Sequence, residues 1–71
     1  MAYVVIIERE GDNFGAYVPD LPGCVAVGES ADEARILIRE AIELHLELMR
    51  EAGEPIPTPT TTSELVEVSP A

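Results

Sequence analysis

The chain contains no lysine and no tryptophan, and it has one cysteine and one histidine, Cys24 and His45. A lone thiol cannot close a bridge within its own chain, which excludes the disulfide-stapled secreted class and points to a reducing, cytoplasmic setting. A lone imidazole would need carboxylates to complete a metal site, so no metal and no cofactor is expected. Long apolar runs are missing too: Tyr3–Ile7 gives way to charge at Glu8, too short for a signal-peptide core or a membrane span. Positive charge is scarce, with four basic residues against fourteen acids and a net charge of −10. Proteins that grip a phosphate backbone show the opposite balance, so direct nucleic-acid binding is not expected. Such a surface attracts a basic partner and speeds its encounter, or simply keeps a small protein soluble.

Seventy-one residues make one domain. A chain of this size buries only about 60% of the surface its unfolded form exposes, and self-association is a common remedy for the resulting marginal stability. Tyr3–Glu8 is rich in β-branched residues and too short for a helix, so it predicts a strand. Gly11, Asp12 and Asn13 mark a hairpin turn. Phe14–Val18 alternates, with Phe14, Ala16 and Val18 on one face and Tyr17 on the other. Pro19 ends that strand because it lacks a ladder amide. A stiff corner, Pro19-Asp20-Leu21-Pro22-Gly23, leads into a third strand over Cys24–Val27.

Ser30-Ala31-Asp32-Glu33 has the spacing of a capping box: the serine oxygen accepts the Glu33 amide, and the glutamate reaches back to the Ser30 amide. The helix is predicted from Ala31 to Ala52, stopped by Gly53 and barred from continuing by Pro55. At 100° per residue, Ala34, Leu37, Ile38, Ala41, Leu44, His45, Leu48, Met49 and Ala52 form one wide apolar stripe. Glu40, Glu43 and Glu47 lie opposite with the arginines. Ile42 and Leu46 fall at the margin, either as a second ridge for self-association into a dimer or tetramer or as half-buried rim residues. The core spans about residues 2–53. Residues 54–62 alternate proline with threonine and predict an extended spacer, and residues 64–68 are expected to add a last short strand.

Reactive chemistry is thin. His45 has Ala41, Leu44, Leu48 and Met49 as its one-turn neighbours, none of them a ligand or a base partner. Cys24 has no second thiol and no orienting acid. Glu40, Glu43 and Glu47 lie on a solvated helix face, where no pocket excludes water. The glycines are scattered over separate turns and build no phosphate loop. No catalytic residue is assigned, and a non-enzymatic binding protein is expected.

The element order carries a specific set of local sequences. These are Val18-Pro19-Asp20-Leu21-Pro22-Gly23-Cys24, Ala26-Val27-Gly28-Glu29-Ser30, Glu33-Ala34, Ala41-Ile42-Glu43-Leu44-His45-Leu46 and Ile56-Pro57-Thr58-Pro59. Together, over about Tyr3 to Pro59, they resemble the HicB family, the antitoxin half of HicA–HicB toxin–antitoxin pairs. The resemblance implies an α+β fold of order β-β-β-α-β, with one long helix packed on a small antiparallel sheet in two layers. It also implies a protein partner, a small RNA-cleaving HicA-type toxin whose active histidine the antitoxin masks. Many HicB proteins add a DNA-binding segment, whereas only twelve residues follow Pro59 here, too few for a helix-turn-helix. A toxin that cleaves RNA must offer positive charge, so the expected docking residues are Asp20, Leu21 and Pro22 of the corner with Glu40, Glu43 and Glu47 of the helix. The alternative is an orphan self-associating domain with a structural or small-ligand role.

Overall fold

The computed structural model describes residues 1–70 and contains three strands and a helix: β1 (Ile6–Glu10), β2 (Asn13–Tyr17), β3 (Val25–Gly28) and α1 (Ala31–Glu51). The strands form one antiparallel sheet in the order β1-β2-β3, with α1 laid over one face, a two-layer α+β arrangement. The hairpin between β1 and β2 closes on Gly11-Asp12, and only Gly11 has positive φ, at 60°. Glycine at the first central position of a two-residue loop is what a type II′ turn demands. Ladder pairing runs from Glu10–Asn13 to Ile6–Tyr17. β1 is therefore displaced toward the turn relative to the predicted Tyr3–Glu8. Its partner strand ends before Pro19, so Tyr3–Val5 have no ladder to join.

Residues opposed across the ladder share a face, which sorts the sheet. Ile7, Ala16 and Ala26 form one row toward the helix, and Arg9, Phe14 and Gly28 form the next. Ala16, Val18, Leu21, Cys24, Ala34 and Ile38 make the buried core, with Tyr3, Val5, Phe14, Ala26, Ala41, Ile42 and Leu46 packed round it. The helix lies chiefly over β3 and β2 and reaches β1 least, which leaves Ile7 and Arg9 exposed on the core-side face. Close approach at one point sets this placement. A Cβ on Gly28 would stand 2.6 Å from the Ala34 amide nitrogen, so glycine admits the helix backbone directly onto β3.

Both helix ends are closed by local chemistry. Ser30 Oγ accepts the Glu33 amide at 3.0 Å, as its spacing predicts. The Glu33 carboxylate, however, accepts from the Glu29 amide at 3.2 Å, one residue earlier than the expected Ser30. At the other end Gly53 takes φ 72°, and the Gly53 and Glu54 amides donate to the Arg50 and Met49 carbonyls at 3.1 and 2.9 Å. These are the paired bonds of a Schellman motif. The 21-residue helix is about 32 Å long at 1.5 Å per residue, while strands of four or five residues span roughly 13–17 Å. Leu46 still packs against the core, so it is the last turn or so of the helix that runs past the strands.

Two expectations are corrected. No strand forms over 64–68: among the described residues the chain after α1 is extended and unpaired, and Leu65, Val66 and Val68 are exposed. The segment has strand-like residues but lies against no edge of its own sheet. The helix is also rotated about its axis relative to the predicted stripe. Ile42 and Leu46 are half-buried and pack against the core, as the rim alternative has it, whereas Leu44 and Leu48 of the predicted stripe are 57% and 55% exposed. The apolar residues left exposed on that flank are thus Leu44 and Leu48, with the half-buried Leu37 about two turns before Leu44.

Candidate protein-docking surfaces

The corner between β2 and β3 is built by two successive turns, in which the Leu21 amide donates to the Val18 carbonyl at 3.0 Å and the Cys24 amide to the Leu21 carbonyl at 3.1 Å. Gly23 at φ 84° permits the reversal. These turns swing Leu21 inward, where it is 1% exposed and, with Ile38, one of the two largest fully buried side chains. A docking role for Leu21 conflicts with that placement, and the residue serves instead as the plug of the corner.

Asp20 is engaged as well, by the chain's own C-terminal segment. Its carboxylate accepts from the Thr60 amide and hydroxyl at 3.0 and 3.1 Å, and from the Thr61 amide and hydroxyl at 3.0 and 2.8 Å. The Thr61 amide, followed by its hydroxyl, holds the Asp20 carboxyl down to about 2 by stabilising the charged form. A second tie joins the Tyr3 hydroxyl to the Pro57 carbonyl. Residues 57–61 thus strap the sheet end from β1's lead-in to the corner, and Pro22 is left as the exposed docking candidate there.

On α1, Glu40, Glu43 and Glu47 are all exposed and project from the side away from the sheet, with Ile36 among them at 56% exposure. Glu43 meets Arg39 at 3.3 Å, and Asp32 meets Arg35 at 3.1 Å. Those are the two ion pairs among the described residues, so Glu40 and Glu47 keep uncompensated charge. Exposed pairs of this kind contribute at most about 1 kcal/mol and leave the face dominated by its acids.

Sequence reasoning missed the outer face of the sheet. Ile6, Tyr17 and Val25 form one row there, and Glu8, Gly15 and Val27 the next. Tyr17, Val25 and Val27 are 42%, 64% and 64% exposed round a shallow depression of about 200 Å³. Alternation within Phe14–Val18 already assigned Tyr17 to this side. The apolar character of the surface becomes evident only when β3 is set beside β2. A second, open cleft of about 490 Å³ lies between the N-terminal residues and the helix, lined by Met1, Tyr3, Val5, Ile38 and Ile42 with Arg35 and Arg39.

Nucleophile and ligand geometry is sparse. Cys24 is buried, and burial pushes its thiol pKa up, away from the reactive thiolate. Among the described residues no three His, Cys, Asp or Glu side chains gather closely enough to hold a metal ion. No helix among them is long and apolar enough to cross a membrane.

Comparison with known proteins gives a consistent picture. Residues 3–70 match a family described as the HicB-like antitoxin of bacterial toxin–antitoxin systems. Over 57 residues the chain is 40% identical to an uncharacterised 14.9 kDa protein from the rep–hol intergenic region of Haemophilus phage HP1, covering 80% of this chain and 43% of the phage protein. Over 58 residues it is 41% identical to a UPF0150 protein of Thermoplasma acidophilum, covering 80% of this chain and 84% of that one. The N-terminal domain of the Burkholderia pseudomallei antitoxin HicB, known from a crystal structure, superposes with a TM-score of 0.72 at 36% identity. The superposition covers 82% of this chain and 69% of that one.

Proposed function

Because the chain belongs to the HicB-like antitoxin family, we propose that it neutralises a small, basic, RNA-cleaving toxin of the HicA type by covering that protein's active site. The observation that carries this reading is the outward face of α1, where Glu40, Glu43 and Glu47 are exposed and only Glu43 has a cationic partner. A ribonuclease must present positive charge to its substrate, and an acidic face competes for that same surface while raising the encounter rate. Pro22, already stiff, adds a contact that costs little conformational entropy on binding. The protein acts by occupancy: the carboxylates of its helix face stand in open solvent, and its thiol is buried.

The test is association with a basic, RNA-cleaving toxin of the HicA type, followed by stopped-flow mixing at several salt concentrations. Glu40→Gln, Glu43→Gln and Glu47→Gln together should slow association about tenfold or more at low salt and flatten its salt dependence, with toxin inhibition weakened in step. An unchanged association rate, or a toxin that still cleaves RNA when saturated with the unmodified chain, would overturn the proposal.

A further inference from the structure

The C-terminal residues after the strap have strand composition and no seat, while one edge of the sheet has a seat and no strand. We infer that residues 64–68 of one chain add as a fourth strand to the free edge of β3 in a second copy, in a reciprocal dimer.

The two sheet edges differ in chemistry. β1 carries Glu8, Arg9 and Glu10, charges of the kind that blunt an edge against further pairing. β3 reads Val25-Ala26-Val27-Gly28, with neither charge nor proline, so its unpaired amides and carbonyls form an unguarded template. An acidic strand, Glu64-Leu65-Val66-Glu67-Val68, meets no like charge there, whereas β1 would oppose it with two glutamates.

The surfaces flanking the β3 edge fit both faces of such a strand. Arg35, Arg39 and Ile42 line the cleft on the β1 side of the helix. Helical geometry sets Leu37, Leu44 and Leu48 roughly opposite, on the flank above the β3 edge. Beneath that edge, Val25 and Val27 are exposed on the outer face. Successive residues of a strand point to opposite sides, so Val66 and Val68 can meet the leucine ridge while Leu65 meets the valines. All three are exposed here, Leu65 completely.

The strap explains why the recipient is another copy. Asp20 fixes Thr60 and Thr61 at the corner where β3 begins. A tail leaving that point along its own β3 would run parallel to it, the less stable pairing, whereas a two-fold mate allows the antiparallel one. Residues 62–70 reach roughly 30 Å when extended, more than twice the length of β3. The extended tail and overhanging helix also give the chain a radius of gyration of 14.2 Å, against about 11 Å for a compact chain of this length. This inference is independent of any toxin.

Light scattering of the full chain tests it, with hydrogen exchange of the β3 amides as the second readout. The unmodified chain should show twice the monomer mass and slow β3 exchange. Val66→Pro, placed in an exposed segment outside the core, should halve the mass and speed β3 exchange while the circular dichroism of the helix stays unchanged. A monomeric unmodified chain overturns the inference, as does a Val66→Pro chain that stays dimeric. Protection of β3 that appears only after a toxin is added, from a chain monomeric alone, overturns it likewise and assigns the edge to that partner.

Discussion

Asp20 and Thr61, 41 positions apart in the chain, are joined by two hydrogen bonds from the threonine amide and hydroxyl to one carboxylate. This contact, repeated by Thr60, turns a proline–threonine spacer into a fixed strap. Because the Asp20 carboxyl is held at about 2 in the folded chain and lies near 3.8 otherwise, its stabilising contribution is fully present above about pH 4. It is lost as pH falls through about 2. Amide exchange at Thr60 and Thr61 should accelerate across that interval. Asp20→Ala should release the strap at neutral pH, seen as faster proteolytic cutting within residues 55–62 with the helix signal retained.

Gly28→Ala places a methyl group 2.6 Å from a backbone nitrogen of Ala34, and backbone cannot swing aside as a side chain can. A loss of about 1–3 kcal/mol is expected from such overpacking, measured as a lowered midpoint in urea. Gly23 offers a contrast, because nothing lies within 4 Å of its would-be Cβ and only its φ of 84° resists substitution.

Leu21→Ala should cost about 2–5 kcal/mol through the cavity it leaves. A chain of 71 residues has roughly 4–11 kcal/mol in total, so a large share of its stability should be lost and the denaturation midpoint should fall steeply. Pro22→Ala, one residue on and exposed, should leave the melting curve nearly unchanged and act only on partner binding. Denaturation curves for the pair separate the plug from the surface.

Ile42→Asp should destabilise the monomer itself because the side chain packs against the core, whereas Leu44→Asp should leave the monomer folded. Circular dichroism melting at high dilution distinguishes them. Cys24 should react with a thiol reagent only after denaturant opens the corner, since burial both hides the sulfur and disfavours its thiolate.

What could be read from the sequence follows the range of the forces involved. Helix ends were legible to within a residue because caps are local: Ser30, Glu33 and Gly53 act within a turn of themselves. The hairpin was legible for the same reason, while the limits of β1 and β3 were not, since ladder register depends on where the partner strand stops. Helix rotation was legible only in part. The apolar stripe on α1 is wide enough to include both the covered Ile38 and the uncovered Leu44, and the sheet's position decides between them. Asp20 suggested a docking acid because its four donors lie some forty residues away. The acidic helix face needed only periodicity, and the apolar outer face of the sheet needed the pairing of β2 with β3.

The helix is pinned where Gly28 admits it and projects past the strands at its other end, so it behaves as a beam clamped on one side. Thermal agitation should therefore peel it directionally, with backbone protons near Glu47–Glu51 escaping to solvent long before those near Ala34–Ile38. Any molecule that grips the projecting turns would damp this fraying, and part of its binding energy would be drawn from rigidity conferred on a segment the lone domain leaves loose.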